Sequence, residues 1–591
     1  MDTITINNIL QSSIKLAFPN LTLDFNKFNV VPGISTDYQF NRTISIAKDI
    51  GLSEQIVLEK IVELLSNCDK LEHVQIINVR GKNFIGFNVR SDYLNYLINN
   101  LYKTSIINNS LEPPSFDHYY NKTIVDFSSP NIAKEMHVGH LRSTIIGESL
   151  CRCLEYCGFN VNRVNHVGDW GTQFGMLIAF IKKFNIEIED LSQLMTIYKK
   201  SRELFVSDEQ FKHQAHWETV KLQQGDFDNL FLWRKIYNIS IDSFNKIYKI
   251  LDTHADIKGE SFYQSRMEQL IIDIKPYIKI ESKMKLLSIN DDNDDNGSKT
   301  VKNNIRYETP ALILQKSDGG FTYDTSDMAA LRYRIFEEKA DRIIYVVDSG
   351  QQQHFDNLFA ASKKLQWTDG IKLNHVGFGL VLGSNGQKLK TRSGETVKLQ
   401  DVLDQVFDHA KFVTTELTQG KNIDWSPEMI SSISEKISIN CIKYTDLNNP
   451  HTNNYRFDVK RMLNAKGNTA VYLMYTMARC KSILRKTQDF NILDGCLEIS
   501  CPDYREIVFI ILQYKEIVFN TINDLAPHHL CTYLYKLACS TTKFYSKNRC
   551  IEYKNDIITN INTNNIRLIN MVVIVMSQIF NLIGLQVVEE I

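Results

Sequence analysis

Two histidines three residues apart, His137 and His140, close the segment Ser129-Pro130-Asn131-Ile132-Ala133-Lys134-Glu135-Met136-His137-Val138-Gly139-His140. On a helix that spacing puts both imidazoles on one face. The segment follows a buried-strand pattern, Ile124-Val125-Asp126-Phe127, and leads into a helical one. Free N–H groups and the positive end of a helix dipole would therefore face the same space, which suits phosphate. Gly139, between the rings, removes a side chain where a flat base could approach. Two bare histidines at this spacing are more often a polar surface or a satisfied core pair. An H-x-G-H directly after a buried strand weighs the other way.

Two further clusters carry charge. Gly386-Gln387-Lys388-Leu389-Lys390-Thr391-Arg392-Ser393-Gly394-Glu395 is a basic loop, which taken alone reads equally well as a solvated turn. In Phe321-Thr322-Tyr323-Asp324-Thr325-Ser326-Asp327, Tyr323 and Asp327 stand at i, i+4 and would share a helical face. By itself Asp327 reads as a helix-surface acid.

The elements that must position these residues are legible in the periodicity. Ile124–Phe127, a helix over about Gly139–Cys157 and a second strand pattern at Val161–Val167 form strand, helix, strand with short links. That is the signature of a right-handed βαβ crossover in a parallel sheet. The next sheet-like runs are Arg342–Val347 and Leu373–Leu382. A mostly helical insertion separates them, interrupted by the polar run Asn290-Asp291-Asp292-Asn293-Asp294-Asp295-Asn296-Gly297, which reads as a solvated, disordered-looking loop over 290–304. Before it all, residues 1–118 read as a small α+β unit, with helical periodicity over Ile44–Leu65 and strands at Val74–Val79 and Asn83–Val89 joined by Arg80-Gly81-Lys82. Helical patterns, including Thr469–Lys486 and Tyr504–Ile522, run to the end. The expected fold is α/β: a Rossmann-type parallel-sheet domain with a helical insertion over 119–408, preceded by the α+β unit and followed by an all-α bundle over 409–591.

Composition fits a multidomain globular protein. The chain has 591 residues, 43% hydrophobic and 23% charged, and its 67 basic and 68 acidic residues leave a net charge of −1. No global field draws it to polyanions or anionic membranes, so any nucleic-acid contact must come from local patches. The 11 cysteines have no tetrahedral zinc spacing, which favours reduced thiols and no structural metal. No secretory signal, transit helix or run of about 18 uninterrupted apolar residues is apparent, and the cytoplasm is the expected location.

His137-Val138-Gly139-His140 resembles the HIGH signature of class I aminoacyl-tRNA synthetases. The flanking words Asp126-Phe127-Ser128-Ser129-Pro130-Asn131 and Asn165-His166-Val167-Gly168-Asp169-Trp170-Gly171-Thr172-Gln173-Phe174-Gly175 are similar to the cytosolic eukaryotic-type arginyl-tRNA synthetases. The basic loop occupies the place of the KMSKS signature but lacks its closing Lys-Ser, a departure this family makes while carrying a lysine just ahead of HIGH, here Lys134. The resemblance implies ATP-dependent activation of L-arginine and transfer to tRNA(Arg), with ATP entering as its Mg2+ complex. It implies that His137, Gly139, His140 and Lys390 bind ATP, that His137 and His140 are catalytic together with Lys134, Lys388, Lys390 and Arg392, and that these last four stabilise charge on the leaving pyrophosphate.

A guanidinium is a planar donor fork that acids recognise bidentately and a lysine ammonium cannot imitate. The resemblance puts Tyr323, Asp327 and Glu260 around it, with Ser129, Pro130, Asn131 and His140 lining the amino-acid site. Gln351, and more weakly Asn165, would contact the α-amino group, although both amides are also common at strand ends where they satisfy backbone groups. Arg461, Lys466, Arg479, Lys481 and Arg485 could face tRNA phosphate and Tyr472 or Tyr475 could stack on bases; solvated charge and core packing are the plain alternatives. The bundle would hold the anticodon and the N-terminal unit the tRNA elbow. A monomer is expected, and membership of a larger synthetase complex stays open. Two other readings remain: another class I synthetase, against which Tyr323 and Asp327 argue, and a catalytically silent RNA-binding or scaffolding relative, which should have lost His137, His140, Glu260 or Asp327.

Overall fold

A computed structural model describes residues 3–589 apart from 20–28, 34, 109, 118–119, 290–310, 318, 384, 390–396, 421–423, 491 and 556. The polar run at 290–297 and the basic residues Lys390 and Arg392 thus lie outside the described residues.

Five parallel strands form the central sheet, in the order Lys372–Phe378, Arg342–Asp348, Thr123–Asp126, Val161–Asn165, Asp256–Ile257. All four residues of Thr123–Asp126 are buried, as expected of a parallel strand covered on both faces. The chain steps to one side of this strand first and to the other side later. Its C-terminal end is therefore a topological switch point, where a crevice opens between diverging connections. Tyr345 pairs with Asp126, so Arg342–Asp348 runs three residues beyond that register and forms one wall of the crevice.

The helix Val138–Tyr156 starts at the switch point and is buried along most of its length. One side faces the sheet and the other faces the C-terminal bundle, where Ser149 Oγ donates to Leu582 O (3.2 Å). Between Val161–Asn165 and Asp256–Ile257 come four helices, Thr172–Phe184, Leu191–Ser207, Glu209–Gln223 and Phe227–Ile250. The expected insertion is helical up to that point. Beyond Asp256–Ile257 it also contains a three-stranded antiparallel sheet of Ile278–Glu281, Met284–Ser288 and Ala311–Gln315. These short strands are mostly half-exposed, so they lack the unbroken apolar runs that mark a core strand.

The N-terminal unit is a four-stranded antiparallel sheet with helices. The helical stretch expected at Ile44–Leu65 is two helices, Thr43–Ile50 and Glu54–Ser66. Gly51 ends the first at φ 69, and Ser53 caps the second by accepting from Ile56 N. Arg80 and Gly81, at φ 52 and 80, turn the hairpin between Leu71–Val79 and Lys82–Val89. This unit docks on the distant bundle. Arg505 grips Asp37 with two donors at 2.8 and 2.7 Å, Asn99 exchanges hydrogen bonds with the backbone of Leu497, and Tyr102 OH donates to Leu493 O.

The bundle comprises Leu399–Gly420, Pro427–Leu447, Ala470–Arg485, Pro502–Leu512, Tyr514–Asp524, His528–Lys547 and Thr563–Leu582, with a hairpin at Ile551–Lys554 and Ile557–Ile561. The expected Tyr504–Ile522 helix is divided at Gln513. Thr563–Leu582 is long and apolar enough to cross a membrane by composition, yet 67% of that stretch is buried within the protein, as a core helix would be.

Candidate active site

His137 caps the helix Val138–Tyr156 from an extended backbone conformation. Its Nδ1 accepts from Gly139 N at 3.0 Å, and His140 Nδ1 accepts from His137 N at 3.0 Å. The two rings stack with centroids 3.9 Å apart. A ring whose Nδ1 accepts carries its proton on Nε2, so each imidazole has one outward donor left. Burial pushes both below the usual histidine pKa, His140 well below, and Lys388 adds to the effect on His137. They are therefore neutral donors at neutral pH. A Cβ on Gly139 would come within 2.8 Å of His137 Cε1, so glycine is needed here to admit the capping ring as well as any base.

The segment before the helix is strained. Ser128, Ser129 and Ala133 hold φ of 74, 49 and 64, left-handed values that non-glycine residues rarely adopt. Buried partners hold them there. Ser128 N donates to Ser143 Oγ, Ser128 Oγ meets Tyr248 OH at 2.8 Å, and Ala133 N donates to Ser240 Oγ. Ser129 N donates to Asn165 Oδ1 at 3.0 Å, while Asn165 Nδ2 donates to Tyr248 OH at 3.0 Å. Each end of the Asn165 amide thus has a partner and the residue is only 1% exposed, so it braces the segment. Pro130 is also buried, its carbonyl accepting from Gly168 N.

A cavity of about 360 Å³ fills the switch point. It brings together Ser129, Asn131, His137, Gly139, His140, Asp327, Gln351 and Lys388, all expected from the sequence. Asp126, His166 and Asp348 also line it without having been singled out. Asp126 and Asp348 end the two strands flanking the switch point, a positional signal that could have found them. Asp126 is paired to buried Arg334 (2.6 Å) and accepts from Ser129 Oγ. Asp348 caps the turn before Gln351 by accepting from Gly350 N.

The two expected acids sit in different surroundings. Glu260 is held at about 8, first by burial and then by the nearby charges of Asp327 and Asp169. A carboxyl pushed that far is one whose environment lacks a positive partner. Asp327 instead has one, His354, with Nε2 2.6 Å from Oδ2. Tyr323 stands in the first turn of Tyr323–Phe336, 78% exposed, and is not among the residues lining the cavity.

Lys388 lies on a short hairpin: Leu389 N donates to Val381 O, and Val381–Leu382 pairs with Tyr455–Arg456. The far end of the same loop is stitched to the histidine segment by Leu399 N to Met136 O and by Lys398 with Glu135 at 2.9 Å. Lys134 Nζ lies 5.2 Å over the Tyr198 ring on the insertion, and its charge also helps hold His137 and His140 low. In the bundle, Arg461 and Lys466 are exposed, and Arg479 lies over Tyr545 at 4.5 Å. Lys481 and Arg485 pair with Glu589, and half-buried Tyr472 donates to Thr542 Oγ1.

Residues 106–459 match the family model for class I (R) tRNA synthetases, catalytic domain, and residues 473–591 match the DALR anticodon binding domain. The chain is 50% identical to the arginine–tRNA ligase of Acanthamoeba polyphaga mimivirus, covering 99% of this chain and 98% of that protein. It is 37% identical to the cytoplasmic arginine–tRNA ligase of Cricetulus griseus over 99% of this chain and 88% of the relative. Among solved structures, the arginyl-tRNA synthetase of Plasmodium falciparum superposes with a TM-score of 0.82 at 31% identity, covering both chains fully.

Proposed function

The chain belongs to the class I arginyl-tRNA synthetases and is an arginine–tRNA ligase that uses ATP, and we propose that its cavity at the switch point works as follows. Arginine seats its guanidinium against Asp327 and Glu260. Its α-amino group lies toward Gln351 and Asp348, and its carboxylate toward the α-phosphate of ATP. ATP enters as its magnesium complex. The Nε2–H groups of His137 and His140 donate to phosphate and ribose oxygens, and Lys388, with Lys390 and Arg392 from the remainder of its loop, takes the charge that builds on the departing pyrophosphate. Lys134 joins them on leaving Tyr198. Attack of the carboxylate oxygen on phosphorus forms arginyl-adenylate and releases pyrophosphate. A hydroxyl of the 3′-terminal adenosine of tRNA(Arg) then takes the arginyl group and AMP leaves. No side-chain nucleophile is required, so catalysis is positioning plus charge stabilisation.

One observation carries this reading: Glu260, raised to about 8 beside Asp327, is an acid in want of a cation next to the cavity where two neutral imidazoles point their donors. The test is steady-state aminoacylation by Asp327→Ala. The arginine KM is expected to rise by a factor of ten or more, on the order of 1.5–3 kcal/mol for a lost charge-assisted contact, with the ATP KM unchanged. Equal losses for both substrates would contradict the assignment.

Three units then divide the work: 1–118 against the tRNA elbow, 119–408 for catalysis and 409–591 at the anticodon. The DALR match, over 473–591, supports the anticodon role for that stretch, and the catalytic-domain match runs on to 459. Arg461, Lys466, Tyr472 and Arg479 are the bundle residues we assign to tRNA, acting in a cytoplasmic monomer.

A further inference from the structure

The acidic wall depends on a residue that does not line the cavity. His354 sits on the helix Gln352–Lys364, three residues past Gln351. Its Nε2 is 2.6 Å from Asp327 Oδ2 and its Nδ1 is 3.3 Å from Asp324 Oδ1. A ring with both nitrogens against carboxylate oxygens carries two protons and a positive charge. Consistently, the two acids lift its pKa to about 10 despite partial burial. Asp324 is anchored in turn, because its Oδ2 accepts from Ile313 N at 2.8 Å, on the insertion's antiparallel sheet. The Phe355 ring stands edge-on to the imidazole at 5.3 Å and limits its tilt.

These contacts fix Asp327 in a definite way. One carboxylate oxygen is held by the imidazolium, and among the described residues the other makes no hydrogen bond. Two aspartates a single turn apart repel, and the ring between them cancels one of their two charges. What remains of this pair is one net negative charge, carried by the side of Asp327 away from the ring.

We propose that His354 is a positioning residue for recognition of the guanidinium group: braced by Asp324, it holds Asp327 so that the free carboxylate oxygen faces the substrate. This rests on the reading of Asp327 as a substrate-binding acid. Without the ring, Asp327 loses its orientation, and Asp324 and Asp327 relieve their repulsion by turning apart or sharing a proton. Either change weakens a directional contact with arginine and leaves the phosphate side of the cavity as it was.

The test compares His354→Ala, His354→Gln and Asp327→Ala in steady-state aminoacylation, with arginine and ATP varied separately. His354→Ala is expected to raise the arginine KM about tenfold, with kcat and the ATP KM within about twofold of the parent. His354→Gln, whose amide N–H can still reach Asp327 Oδ2, is expected to recover at least about threefold of that loss. An arginine KM within twofold of the parent in His354→Ala, while Asp327→Ala raises it, would overturn the role of His354 alone. Parallel rises for arginine and ATP would do the same, by marking the residue as merely structural. If Asp327→Ala itself leaves the arginine KM unchanged, the underlying reading of the acid fails and this inference fails with it. Should His354→Ala prove insoluble, His354→Leu, which cannot hydrogen-bond to Asp327, takes its place: a rise of about tenfold confined to arginine supports the proposal and no rise rejects it.

Discussion

Arg142 Nε lies 3.1 Å from Asp446 Oδ2, and neither side chain is exposed to any degree. Arg142 is in the first turns of the helix Val138–Tyr156 and Asp446 near the end of the bundle helix Pro427–Leu447. The same guanidinium donates through Nη1 to Gly379 O (2.7 Å) and Asn453 O (3.0 Å), between the rings of Phe378 and Tyr455. One buried cation thus ties the histidine-bearing helix, the end of a sheet strand and the bundle into a single body.

Removing one partner of such a pair leaves a bare charge in the interior, which is far worse than replacing both. Asp446→Ala should therefore lower the thermal unfolding midpoint sharply, with a loss on the order of 3–5 kcal/mol. The double variant Arg142→Met, Asp446→Leu should recover much of it. Scanning calorimetry of the three proteins checks this; a double variant less stable than Asp446→Ala would count against it.

With Glu260 against the guanidinium as proposed, arginine binding should depend on pH. In the free protein its pKa of about 8 leaves it largely protonated at pH 7, and a bound guanidinium favours the carboxylate. The sign follows: the cation must displace a proton below pH 8, so affinity rises as pH rises through 8 and then levels off. Calorimetric titration with arginine at pH 7, in two buffers of different ionisation enthalpy, should reveal release of close to one proton. Glu260→Gln should abolish it. His354, at about 10, stays charged through this range and adds no step of its own.

Tyr248 holds both Ser128 Oγ and Asn165 Nδ2 through one hydroxyl. Tyr248→Phe would leave those buried groups short of a partner, at a cost of about 1–3 kcal/mol, and free the left-handed turn at Ser128–Ser129. We expect a lower melting temperature together with a raised arginine KM. A variant that melts early but keeps its arginine KM would show that the turn does not depend on this hydroxyl.

How much of this was legible in the sequence varies with the distance over which each feature is encoded. Local patterns carried the βαβ unit, the histidine segment and the bundle helices. The residues Asn131, Gln351 and Asp327 are legible through motif-length resemblance, and all three line the cavity. For Asn165 the sequence leaves two readings open, a substrate contact or an amide that satisfies nearby groups, because the partners it braces, Ser129 and Tyr248, are 36 and 83 residues away. His354 was missed for the same reason, as its meaning lies in Asp324 and Asp327, about 30 positions earlier on another helix. The insertion's antiparallel sheet escaped because its half-exposed strands lack a continuous apolar run.

Asp37 and Arg505 are separated by 468 residues. A ribosome adding about 5–20 residues per second finishes the Asp37 segment roughly 20 to 90 seconds before it delivers the arginine that grips it. During synthesis the N-terminal unit must therefore persist with its docking surface, including Tyr102 and Asn99, uncovered. That interval is when the nascent chain is most open to capture by chaperones or by a neighbouring copy, and the arrival of the last helices ends it.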